Sequence, residues 1–232
     1  LQTLLADYEQ RQLATMGIAV WPLDGSAMVG INQSTTFKSA SMYKLFVAYE
    51  TLLRIDEGEL SLDQPTGYDA GSQTIGSCLE VMITVSDNPC GRALRKVLDV
   101  TEKPLPRLAE LGFTGTNLAY DYPTTSAQDI ALLCNKLYNQ EDLSKASNQL
   151  LLTHLKNQQI NDRIPIGLPS GTEVAHKTGD LEGFSHDGGI VYTRSGDYVL
   201  VILGGPWQSD LGTIYANYAN LTSLIHDYLT GS

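Results

Sequence analysis

The stretch EVAHKTGDLEGFSHDGGIVYTRSGDYVLVILG, residues 173–204, decides the fold. Its β-branched and aromatic residues fall into three runs, which predict strands over 173–179, 187–193 and 197–204. Arg194-Ser195-Gly196 supplies the turn between the last two. Upstream, residues 16–23 read as a strand, Asp24-Gly25 as a tight hairpin turn and residues 27–31 as its partner. Between these strand-rich ends the period changes from two to about 3.6. Helices are predicted near 41–57, 78–86, 89–98, 104–111, 126–139 and 143–156. Residues 1–14 place Leu4, Leu5, Tyr8 and Leu13 at helical spacing, and Leu211, Ile214, Tyr218, Leu221 and Ile225 make 209–229 a closing amphipathic helix. The predicted class is α+β: an antiparallel sheet of about five strands with terminal helices on one face, and an all-α lobe inserted in sequence. The expected division is a sheet lobe of residues 1–36 and 170–232 and a helical lobe of residues 37–169, forming one compact unit with its site in the cleft between them.

Three short motifs occur in order along this frame. Ser41-Met42-Tyr43-Lys44 opens a helical run, Ser86-Asp87-Asn88 lies between two helices, and Lys177-Thr178-Gly179 ends a strand. One S-x-x-K spacing is expected by chance in a chain of this length, but all three motifs in fitting local contexts are not. Taken singly, each has a plain structural reading as a helix cap, a turn or a hairpin edge. Together they supply what serine acyl transfer needs. Ser41 is the candidate nucleophile, and it requires a base to remove its proton. Lys44 lies one helical turn on, on the same face, and serves as base if burial or a neighbouring cation lowers its pKa. Lys177 can be that cation and can attract an anionic substrate. Ser86 is placed to relay a proton to a leaving nitrogen. Asn88 offers an amide to a substrate carbonyl or to Lys44, Thr178 a hydroxyl to a carboxylate, and Gly179 room for close approach. The free N–H of Ser41 at a helix start and the N–H of Asp180 are the candidate oxyanion donors.

With these motifs the chain resembles the class A β-lactamases and their penicillin-binding relatives. The resemblance extends to Met82-Ile83-Thr84-Val85 before Ser86, to His176–Gly183 followed by His186–Val191, and to Thr124-Thr125-Ser126 before a helix. It implies an acyl-enzyme on Ser41, formed from a β-lactam or a D-alanyl-D-alanine peptide, with no metal and no organic cofactor. It also suggests that Arg163 helps hold the substrate carboxylate, the alternative being a surface arginine beside Asp162. One departure stands out. Family members carry an omega-loop glutamate that activates the deacylating water, whereas residues 112–125 contain no glutamate and a single acid, Asp121. Asp121 is either a substitute base or a turn residue before Pro123. Asp180 and Glu182 are further acids near the site, and the Asp180 carboxylate would repel an anionic substrate unless it points away. The acylation set is therefore complete and the deacylation set is not, which fits a slow β-lactamase, a peptidase acting on cell-wall stem peptides, or a sensor that holds its acyl group. A general esterase is disfavoured, since no Gly-x-Ser-x-Gly elbow occurs.

Composition narrows the partners. The net charge of −11 over 232 residues argues against nucleic acid. No apolar run is long enough to span a membrane. Leu1 is not a natural start, so the expectation is an extracytoplasmic monomer, periplasmic or secreted, whose leader or anchor preceded this sequence. Cys78, Cys90 and Cys134 fall in apolar helical patterns without metal spacing and are expected to be buried free thiols. His176 neighbours Lys177, but strand alternation turns it away from the cleft.

Overall fold

A computed structural model describes residues 1–10, 14–100, 105–119 and 121–231. Leu13 of the expected N-terminal helix, Pro104 at the start of the expected 104–111 helix, and Tyr120 lie outside the described residues. The chain opens with α1 (Gln2–Glu9), β1 (Met16–Pro22), β2 (Val29–Ile31) and β3 (Thr36–Lys38). The helical block is α2 (Tyr43–Asp56), α3 (Ile75–Thr84), α4 (Asn88–Val97), α5 (Pro106–Glu110), the short strand β4 (Thr124–Ser126), α6 (Ala127–Asn139) and α7 (Lys145–Lys156). It closes with β5 (Glu173–Leu181), β6 (Phe184–Tyr192), β7 (Tyr198–Gly204) and α8 (Leu211–Thr230).

The main sheet runs β2-β1-β7-β6-β5, with every neighbouring pair antiparallel. The predicted α+β class and five-stranded antiparallel sheet are thus observed. β7 sits at the centre and is buried on both faces. Its alternate residues feed two cores, as the period of two demands. Val199, Val201 and Leu203 pack towards the helical block with Phe46, Phe113 and Ile130. Tyr198, Leu200 and Ile202 pack towards the terminal helices with Leu5, Tyr8, Ile214, Leu221 and Ile225. Several helix starts are fixed by side-chain caps: Thr74, Asp87, Ser126, Ser144 and Asp210 each accept a bond from the backbone N–H three residues on.

Several boundaries differ from the sequence reading. Strands β5 and β6 extend to Leu181 and from Phe184, leaving only Glu182-Gly183 as a hairpin turn, with Gly183 at φ +76°. The Asp24-Gly25 turn is wider than a tight hairpin, because β2 starts at Val29. There the Asp24 carboxylate accepts the Ser26 N–H and the Trp21 indole reaches Ser26 O. β3 and β4 form an unanticipated ribbon that pairs Thr36–Lys38 with Thr124–Ser126. At its mouth Asn117 and Thr124 exchange two backbone bonds, and Asp121, Tyr122 and Pro123 just before Thr124 line the cleft.

The cysteine expectation is corrected. Cys78 and Cys90 form a disulfide, with Cα atoms 5.0 Å apart, and only Cys134 among the three is a buried free thiol. The reason is geometric: α3 and α4 double back around Ser86-Asp87, which brings two positions on separate helices within bridging distance.

Candidate active site

The three motifs come from three different elements and meet at one cleft. Ser41 lies on a single 3-10 turn, Ala40–Met42, that leads into α2, rather than on the α-helix itself. Lys44 follows in the first turn of α2 and is fully buried. Ser86 occupies the turn between α3 and α4 in the left-handed region, at φ +61°, and Ala40 beside the nucleophile candidate is at φ +46°. Two non-glycine residues in this sparsely populated region cost about 1–3 kcal/mol each, and such strain concentrates at functional sites. Asp87 caps α4 through its bond from Cys90 N, which fixes Asn88 at the helix start. Lys177 and Thr178 are buried on β5, the edge strand.

Side-chain bonds tie these pieces together. The Lys44 ammonium donates to Ser86 O at 2.6 Å, to Ser86 Oγ at 3.2 Å and to Asn88 Oδ1 at 2.8 Å. Lys177 donates to the same Ser86 Oγ at 3.0 Å and to Thr178 O at 2.8 Å. Two lysines therefore converge on one hydroxyl. Burial lowers the Lys44 pKa to about 8; Asp87 opposes the shift and Arg92 adds to it. Burial and the nearby Lys44 drive Lys177 well below an ordinary lysine. Both shifts follow from placing two ammonium groups in one desolvated pocket. Gly91 contributes to the fit, since a Cβ there would lie 2.9 Å from Lys44 Cε and 2.7 Å from the Tyr43 hydroxyl.

β5 presses its free edge against the Ser41 turn. A Cβ on Gly179 would lie 2.9 Å from Ser41 N and 3.1 Å from Met42 N, so only glycine allows this approach. The edge at Gly179-Asp180 is thereby held beside the Ser41 N–H. The Asp180 carboxylate bonds the Arg163 guanidinium. Arg163 is not on the surface: it is fully buried, donates to His186 O at 2.8 Å, stacks 4.2 Å over the Tyr215 ring and pairs with Asp162 at 3.2 Å. The surface-arginine alternative is therefore set aside. His176 points into the interior, where it bonds Asp187 and Asn161. His186 is buried between Lys38 O and Gly204 N, and burial lowers its pKa to about 4, leaving it neutral.

The cleft holds about 350 Å³ and is lined by Ser41, Tyr43, Asn88, Asp121 and Asp180, among others. Arg92 and Arg95 of α4 also line it and were not singled out from the sequence. The signal was present, because 88, 92 and 95 recur at the spacing of one helix face. A larger cavity of about 480 Å³ lies behind the β5–β6 turn, against Trp207 and Ile214, and shares only Asp180 and Leu181 with the cleft. Ser41 and Asn88 line the smaller one, and Lys44 bonds Asn88 there.

Comparison with known proteins agrees with this geometry. A family model described as the beta-lactamase enzyme family matches residues 1–228, and the chain belongs to that family. An extended-spectrum beta-lactamase of Pseudomonas aeruginosa, PER-1, is 25% identical over 198 residues. That match takes in 72% of this chain and 64% of the relative, a little under two thirds of the relative's length. Among solved structures, PBP-A superposes with a TM-score of 0.88 at 24% identity, over 100% of this chain and 97% of that one. An ancestral class A beta-lactamase gives 0.86 at 23% identity, over 98% and 99%. These structures share the fold.

Proposed function

We propose that this chain is a serine hydrolase acylated at Ser41 by β-lactams, with slow deacylation. The observation that carries the reading is the convergence on Ser86 Oγ of Lys177 and of Lys44, which lies one helical turn after Ser41. Neutral Lys44 takes the Ser41 hydroxyl proton as Oγ bonds the lactam carbonyl carbon. The C–N bond then breaks, and the proton passes through Ser86 to the departing nitrogen. The N–H groups of Ser41 and Asp180 face the developing oxyanion, Asn88 holds the acyl-side carbonyl, and Thr178 with Lys177 holds the substrate carboxylate. Arg163 acts on that carboxylate indirectly, by neutralising the Asp180 anion that would otherwise repel it.

Slow deacylation is supported by the loop. Residues 118–123 carry Asp121 as their only acid, and its exposed side chain stands at the rim of the cleft. The same gap favours a second reading, a D-alanyl-D-alanine peptidase of the cell wall whose acyl group leaves by another route. PBP-A, which shares the fold, has been captured in variant form as an acyl-enzyme with penicillin G. The disulfide supports an extracytoplasmic location, where such bonds persist. Among the described residues no helix is long and apolar enough to cross a membrane.

The test is time-resolved intact mass spectrometry with benzylpenicillin beside nitrocefin turnover. A persistent adduct on Ser41, absent in Ser41→Ala, is the expected result. Labelling of Ser41→Ala would sink the nucleophile assignment. Rapid loss of the adduct with steady turnover would refute slow deacylation.

A further inference from the structure

The chain as a whole is strongly acidic, yet the cleft wall running outward from Asn88 is basic. α4 presents Asn88, Arg92 and Arg95 to the cavity that also contains Ser41. At 1.5 Å per residue, Arg92 lies about 6 Å and Arg95 about 10 Å beyond Asn88 along the helix axis. Arg95 is held in place: it donates to Leu118 O at 2.6 Å and stands 5.4 Å over the Tyr43 ring. Arg92 is exposed at the mouth. A guanidinium carries five donors, so bonds to the protein leave others for a ligand. The Asn117–Thr124 bridge gathers the neighbouring loop, whose Asp121, Tyr122 and Pro123 line the same cavity as these arginines. Of the acids nearby, Asp180 is paired with Arg163, Asp87 caps α4, and Asp121 lines the same cavity as the two arginines.

We infer that Arg92, supported by Arg95, is a specificity determinant for acyl donors that carry a carboxylate on the acyl side, roughly one helical turn beyond the carbonyl held by Asn88. This rests on the acyl-enzyme reading above and adds to it the class of substrate. The carboxylate recognised here is distinct from the one assigned to Thr178 and Lys177, which departs with the leaving-group side of a peptide. A donor with an anionic side chain would thus be held at both ends, and the acyl-side contact survives in the acyl-enzyme. Arginine suits the task because its planar fork matches a carboxylate.

Two penicillins separate this inference from general affinity: adipoyl and hexanoyl derivatives of 6-aminopenicillanic acid, which have equal chain length and differ by one terminal carboxylate. Four methylenes carry that carboxylate about the 6 Å that separates Asn88 from Arg92. The readout is the ratio of their second-order acylation rates, adipoyl over hexanoyl, measured by mass spectrometry at low salt. Any effect of Arg92 on Lys44 cancels in this ratio. Arg92→Gln is expected to lower the ratio roughly fivefold, the effect of losing one exposed ion pair. In the unaltered protein the ratio should fall as salt rises from 0.05 to about 0.5 M, because screening shortens the reach of the charge. A ratio unchanged by both Arg92→Gln and salt overturns the inference while leaving the acyl-enzyme reading intact. Failure of both penicillins to label Ser41 overturns the two together.

Discussion

The acylation rate should follow the deprotonation of one buried lysine. Lys44 is fully enclosed and its pKa falls from 10.5 to about 8. With an ordinary lysine, the neutral fraction at pH 7 would be roughly 0.03%; with a pKa near 8 it is about 9%, close to a 300-fold gain, or about 3 kcal/mol. A depressed pKa makes the base form dominant above pH 8 and scarce below it. Raising the pH from 6 to 9 should therefore speed acylation of Ser41 by benzylpenicillin roughly 90-fold, with a midpoint near 8. The assay is stopped-flow acylation with a fluorescent penicillin, which titrates little of its own chemistry over this range. Arg92→Gln should move the midpoint upward, since Arg92 helps lower the Lys44 pKa. A flat profile between pH 6 and 9, or one still climbing at pH 10, would refute Lys44 as a base tuned by burial.

Three further outcomes follow from local geometry. Gly179→Ala places a Cβ 2.9 Å from Ser41 N, against backbone that cannot rotate away, and should slow acylation on the order of 100-fold; an unchanged rate would show that the β5 edge does not position Ser41. Replacing Cys78 and Cys90 together by alanine opens a loop of sequence separation 12 and should cost about 3 kcal/mol in denaturant unfolding, with reduced acylation because the Ser86 turn lies inside that loop; equal stability would show that the bridge constrains nothing. Lengthening residues 118–123 to carry a glutamate facing Ser41 should raise nitrocefin turnover without changing the acylation rate; no gain would mean that a missing water-activating base is not the limiting feature.

Sequence made the frame of the candidate site legible because each motif sits where a local rule holds. The uninterrupted apolar run at 198–203 is the pattern of a strand buried on both faces, and that strand is the centre of the sheet. Ser86-Asp87-Asn88-Pro89 reads as a turn and cap, and Asp87 does cap α4. What stayed hidden depends on tertiary approach. Cys78 and Cys90 look like ordinary apolar helix positions until α3 and α4 fold back. Arg163 carries no local sign of burial, since its partners come from β5 and β6. β3 and β4 are too short for alternation to reveal them, yet their pairing is what closes the loop beside the cleft.

The acid at position 180 is explained by structure rather than by chemistry. A fully buried guanidinium must be paired, and Arg163 meets Asp162, Asp180 and the field of Asp187. Arg163 in turn donates to His186 O, and neutral His186 spans from Lys38 O to Gly204 N, joining the β3 ribbon to the centre of the sheet. The Asp180 side chain thus belongs to a network that holds the end of β5, while its backbone remains at the edge that meets Ser41. The network pairs a negative charge at the cleft with a buried guanidinium, and Gly179 beside it stays within contact of the Ser41 turn. On the opposite wall the loop closed by Asn117 and Thr124 carries no glutamate, and Arg92 and Arg95 line the cleft beside it. Under the two proposals made above, this one wall would govern both how long an acyl group stays on Ser41 and which acyl groups are accepted.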